Sequence, residues 1–251
     1  MKYLIQDVDN NSQSFACEFP SKIAEACQAE LQNTEGFRDA YRRVVSLQAW
    51  RARVFSFISS GGVEDLFLEA QNDALLSVVL AHMAMWRPAL QSLRSCIENV
   101  LNTCYYVDHP VEFRLWKQGR FRIAFSELAT YFSKHPNNVT VEDFPKVIPL
   151  IRKEYATLSK AVHASAKSFH MTKSGGITIT NLDQVEYNKW VSRHSTSLLW
   201  INVVLVMLYS HFLTGSQNSD LRKSVSLAIP SRYHEIIASQ LDVHLFPMEY
   251  S

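Results

Sequence analysis

The sequence predicts an all-α fold: a single helical bundle domain with one small β-hairpin near residues 170–180. Two observations carry that reading. Glycine supplies 7 of 251 residues, where an average usage of about 7% would give about 18. Barrels, sandwiches and α/β folds need more tight turns than so few glycines serve. Over most of the chain, apolar residues also recur at the three- and four-residue spacing of helices. A composition of 47% hydrophobic and 20% charged residues is that of a globular chain and excludes a disordered tail protein. Lys and Arg number 25 against 24 Asp and Glu, so no global charge points to nucleic acid or an acidic membrane.

The N-terminal residues 1–20 are expected to be an extended arm, with Ser21 capping a short helix through Gln32. The first 36 residues are acidic, with Asp7, Asp9, Glu18, Glu25, Glu30 and Glu35 against Lys2 and Lys22. Acidic Asp7 and Asp9 and the lack of an apolar run argue against a signal peptide. A helix from Phe37 to Ile58 should stop at Ser59-Ser60-Gly61-Gly62, where glycine tolerates a left-handed closing residue. Val63 to Met85 is helical again. Pro88 then suits the first turn of a new helix to about Val107, or a kink in a continuing one.

Asp108-His109-Pro110 punctuates the chain, and Val111 to Ser133 gives one or two helices broken near Gly119. Proline and asparagine make His135 to Pro149 the longest loop. Ile148 to Phe169 is a helix. Two β-prone runs around Gly175-Gly176 give the hairpin. Asp183 to Leu213, Asp220 to Ala228 and Ser231 to Leu241 complete eight to ten helices in one domain spanning 21–251. The stretch from Ser195 to Gly215 carries no formal charge and approaches the roughly 20 residues of a membrane span. Its polar dilution and missing Lys/Arg flank favour a central bundle helix; a membrane-associated effector is the alternative.

Cys17, Cys27, Cys96 and Cys104 form no C-x-x-C pair, so a structural zinc site is not expected and a reducing cytoplasm is. Cys96 and Cys104 share one helical face and read as small buried hydrophobes. Phosphate-loop, dinucleotide, zinc-protease and serine-hydrolase motifs are all absent. No metal or other cofactor is expected.

Three constellations remain. Gln91, Arg94, Glu98 and Asn102 share a stripe; it is either a solvated face or a buried polar network. Arg94 and Glu98 are spaced to pair, which at an exposed site contributes about 0.3–0.5 kcal/mol. Arg152, Tyr155, Ser159 and His163 form a second stripe, its histidine either a packing residue or a proton donor and acceptor. The third is basic and aromatic: Arg38, Arg42, Arg43, Arg51 and Arg53 with Tyr41 and Trp50, then Arg114, Lys117, Arg120 and Arg122 with Phe113, Trp116 and Phe121. Arginine on phosphate with aromatic on base is how single strands are held. The competing reading pairs Arg38, Arg42 and Arg43 with the acidic N-terminal segment.

The helix ALQSLRSCIENVLNTCYYV, followed two helices later by EYATLSKAVHAS, resembles the helical HEPN superfamily over residues 74–170. The family core would extend over about 74–215. That resemblance implies a helical bundle that dimerises and binds or cleaves RNA in a bacterial antiphage defence or toxin-type system, alone or with a protein encoded nearby. Catalytic members carry an R-x(4–6)-H motif, and no histidine here has an arginine five to seven residues before it. Arg152 lies eleven residues before His163, three turns away. A binding role therefore leads. Metal-independent RNA cleavage is the alternative, with His163 as general acid/base, Arg94 stabilising phosphate charge, and Glu98 and Ser159 orienting. Arg42, Arg43, Arg51, Arg53, Arg120 and Arg122 are the expected RNA contacts.

Overall fold

A computed structural model describes residues 2–30, 35–139, 144–163, 170, 172–173, 176–177, 183–214 and 218–247. The fold is all-α. Helix α1 covers Lys2–Glu30, α2 Glu35–Trp50, the single turn α3 Ser56–Ile58, α4 Glu64–His82, α5 Trp86–Asp108, α6 Pro110–Lys117 and α7 Phe125–Ser133. It continues with α8 Val147–Val162, α9 Gln184–Tyr209, α10 Ser219–Ser226 and α11 His234–Leu241. One apolar core runs from Phe37 to Leu245.

Two expectations are corrected. The N-terminal arm is helical: α1 is sustained by contacts one turn apart, Ser14 Oγ to Glu18 (2.8 Å) and Phe15 stacked on Phe19 (4.9 Å). No glycine interrupts it, although Pro20 removes one helical donor. The hairpin near residues 170–180 is not borne out. The described residues pair only Thr172 with Ile177 and Lys173 with Gly176, two rungs with no sheet to join; residues 178–180 lie outside the described ones, as do 164–169 of the expected Ile148–Phe169 helix.

Elsewhere local chemistry sets the breaks. The expected Phe37–Ile58 helix runs through, widened to a π-helical turn over Arg51–Phe55 that turns both Val54 and Phe55 into the core. Before Pro88 the chain reverses at Ala84, whose φ of 54° lies in the left-handed region, so α5 starts afresh at Trp86 rather than kinking. Gly119 (φ 69°) closes α6: its N–H bonds Trp116 O at 2.8 Å and the Arg120 N–H bonds Leu115 O at 2.9 Å. The chain then runs non-helical from Arg120 to Ala124. Asp183 caps α9, its Oδ1 accepting from Val185 and Glu186 N–H.

Helix α9 packs against α2, α5 and α8. The segment Gln184–Phe212 is long and apolar enough to cross a membrane, yet 72% of its apolar window is buried in the bundle. Most of its buried polar groups are satisfied, although neither ring nitrogen of the fully buried His194 has a hydrogen-bond partner among the described residues. Asn202 accepts from Trp50 Nε1 (3.0 Å) and donates to Ser46 Oγ (2.9 Å) and Leu198 O (2.8 Å). Trp190 Nε1 donates to Ser77 Oγ at 3.0 Å. Buried Glu154 accepts from Arg193 at 2.6 Å and Ser197 at 3.3 Å, and burial pushes its carboxyl up despite Arg193. Replacing Asn202 by Leu adds apolar surface but strands the Trp50 N–H. It should lower urea-measured stability by about 3 kcal/mol, and adding Trp50→Phe should add less than the Trp50→Phe single change does.

Candidate functional site

The first two stripes meet where α5 packs on α8. Arg94 Nε donates to Ser159 Oγ (3.1 Å), and its Nη2 donates to Glu98 Oε1 (3.0 Å) and to the Tyr155 hydroxyl. The Tyr155 hydroxyl donates in turn to the same Glu98 oxygen at 2.5 Å, and the Arg94 guanidinium lies 4.7 Å from the Tyr155 ring centre. Phe125 of α7 stacks on the same Tyr155 ring at 3.5 Å and 7°. Burial first, and Glu98 second, push Tyr155 up to about 12, so it stays protonated and donates.

The stripe carrying Arg94 is therefore a part-buried polar network in which Arg94 and Glu98 are already engaged. Arg94 charge is matched by Glu98. Ser159 accepts from Arg94 and donates to Tyr155 O at 2.8 Å. His163, at the C-terminal end of α8, is exposed, and among the described residues no hydrogen bond or ion pair reaches its ring. The structure brings Arg94, Glu98 and Ser159 together and adds Tyr155, while the expected pairing of Arg94 with the His163 imidazole is not formed.

The basic clusters separate as sharply. Arg42 pairs with Asp39 (3.0 Å), Arg51 with Glu64 (2.9 Å) and Arg53 with Asp220 (3.7 Å). Half-buried Arg43 lines a small cavity with Ser195 and Ser226. These three pairs join acids of α2, α4 and α10. By contrast, Arg114, Arg120 and Arg122 are exposed, and among the described residues no carboxylate pairs with them or with Lys117, whose Nζ bonds Gly61 O at 3.0 Å.

Arg122 of that second cluster lines a cavity of about 350 Å³ between α5 and the chain that leaves Gly119. Glu98, Asn99 and Asn102 line it from α5, Trp116 from α6, and Phe121, Arg122 and Ile123 from the non-helical run. Tyr106 closes its base, its hydroxyl pushed up to about 12 by burial. Of these, the sequence picks out Glu98, Asn102, Trp116, Phe121 and Arg122; Asn99 was missed because it sits one residue off the stripe. A larger, mostly apolar cavity of about 500 Å³ lies by Trp86, Leu90 and Trp190. Its cations are already matched, Lys189 with Glu186 and Arg193 with Glu154, which makes the smaller one the candidate site.

No family model, curated protein or solved structure matches this chain. The site is therefore read from its own chemistry. Among the described residues no group of three or more His, Cys, Asp or Glu is placed to hold a metal. Cys96 and Cys104 are fully buried, and burial pushes both thiols far up.

Asp73 of α4 supports the cavity wall: its Oδ2 accepts from Asn99 Nδ2 at 2.9 Å. Burial, with Glu69 and Glu98 adding to it against the Asn99 hydrogen bond, raises Asp73 from 3.8 to about 6. Between pH 4 and 6 the folded chain holds this proton more tightly than the unfolded one. Its contribution to stability is therefore present below pH 4 and lost as pH rises through 6. His194, fully buried and lowered to about 3 by burial and by Arg43, contributes the opposite slope. Because His194 is unchanged in Asp73→Asn, the melting temperature of the native protein minus that of the variant should fall from pH 4 to pH 7.

Proposed function

We propose that this chain is an RNA-binding component that holds a single strand on the face made by α5, α6 and the Arg120–Ala124 run. The observation that carries the reading is the cluster Arg114, Lys117, Arg120 and Arg122, which no carboxylate neutralises among the described residues and whose Arg122 lines a cavity walled by Trp116 and Phe121. Cations follow the phosphates and exposed aromatic rings accept bases. The RNA contacts are then Arg120 and Arg122. Arg42, Arg51 and Arg53 serve as structural ion pairs.

A binding role fits better than cleavage because Arg94 and Ser159 are engaged within the fold and His163 stands apart from them. The HEPN-like resemblance and the defence or toxin-type setting it implies agree with RNA as the partner. The cleavage alternative keeps one point in its favour, the Arg94–Ser159 bond that joins the two stripes. It requires chelator-resistant RNA cleavage that His163→Ala abolishes.

Fluorescence anisotropy with a labelled single-stranded RNA tests the proposal. Trp116→Ala and Arg122→Ala should each weaken binding about tenfold, and Arg122→Ala should lower the slope of log K against log salt by about 0.7. Arg42→Ala should change affinity less than twofold. Binding that is indifferent to Trp116 and Arg122 would overturn the reading.

A further inference from the structure

The hydrogen-bonding state of the cavity wall narrows what base it accepts. Glu98 takes both of its network bonds, from Arg94 and Tyr155, on Oε1, and among the described residues nothing donates to Oε2. Asn99 is turned by Asp73: its Nδ2 donates to that carboxylate, so its Oδ1 is the atom left to the cavity as an acceptor. One turn further along α5, Asn102 has a carboxamide that can donate, and no described side chain takes its N–H groups. Reading along the helix, the wall can present two acceptors and then a donor, with Asn102 turned to donate.

The four bases present different edges to such a wall. Adenine and cytosine each pair one exocyclic donor with a ring acceptor, and uracil sets one donor between two acceptors. Guanine alone carries two adjacent donors, the N2 amino group and then N1–H, followed by the O6 acceptor. We propose that the cavity takes a guanine base, with N2–H and N1–H donated to Glu98 and Asn99, O6 accepting from Asn102, and the ring stacked on Trp116. Arg122 at the same cavity is placed for the attached phosphate. This inference rests on the RNA-binding reading for its polymer but not for its base, since a free guanine nucleotide presents the same edge.

The test compares uridine octamers carrying one central guanosine, inosine, adenosine or uridine, together with free GMP and AMP, by competition anisotropy on the full chain. The guanosine octamer should bind about tenfold tighter than the all-uridine one, inosine, which lacks the N2 amino group, should fall between, and adenosine should match uridine. Glu98→Gln, which can still accept from Arg94 and Tyr155 but turns the second oxygen into a donor, should erase the guanosine preference with an unchanged melting temperature. The inosine comparison needs no variant and so holds even if Glu98→Gln unfolds the chain. Equal affinity for all four octamers, still dependent on Arg122, would overturn the guanine inference and leave RNA binding standing. GMP bound over AMP with no octamer bound would do the reverse.

Discussion

A single carboxamide fixes how this bundle goes together. Helix α9 is apolar nearly all the way round from Leu198 to Tyr209, so hydrophobic burial alone does not distinguish one rotation of it from another. Asn202 does. Its oxygen must meet the Trp50 N–H and its nitrogen the Ser46 hydroxyl, and any other rotation would strand three buried polar groups at a cost of about 1–3 kcal/mol each. Trp190 to Ser77 and Glu154 to Arg193 repeat the same device against α4 and α8. Three polar contacts thus specify the orientation that dispersion and apolar burial then stabilise.

This constraint reaches the candidate site through adjacent residues. Glu154 faces α9 and is held by Arg193 and Ser197, while the next residue, Tyr155, faces α5 and meets Arg94 and Glu98. About 100° separates neighbours on a helix, so the pairing on one side of α8 sets what its other side presents. Glu98 is positioned from that side, and Asn99 from α4 through Asp73. The cavity wall is therefore a product of register, set by contacts well away from the ligand face.

Much of this was legible in the sequence. Glycine scarcity and helical periodicity foretold the all-α class, Gly119 and Pro88 marked real boundaries, and the polar stripe on α5 was correctly singled out as either solvated or networked. Pairing was not legible, because which carboxylate meets which arginine depends on three-dimensional placement: Arg53 finds Asp220, far along the chain. The hairpin misled because β-branched residues around Gly-Gly match a turn rule without an adjoining sheet to stabilise it. The N-terminal segment is helical where an extended arm is expected, because residues one turn apart, Ser14 with Glu18 and Phe15 with Phe19, pair along it.

The five tryptophans divide unevenly. Trp50, Trp86, Trp190 and Trp200 are buried, whereas Trp116 is 38% exposed beside the cavity. Four buried indoles and one in open contact with water give the chain two classes of intrinsic emitter. The protein thus carries an unlabelled optical gauge at its candidate site, read as the part of its emission that a dissolved quencher removes most readily.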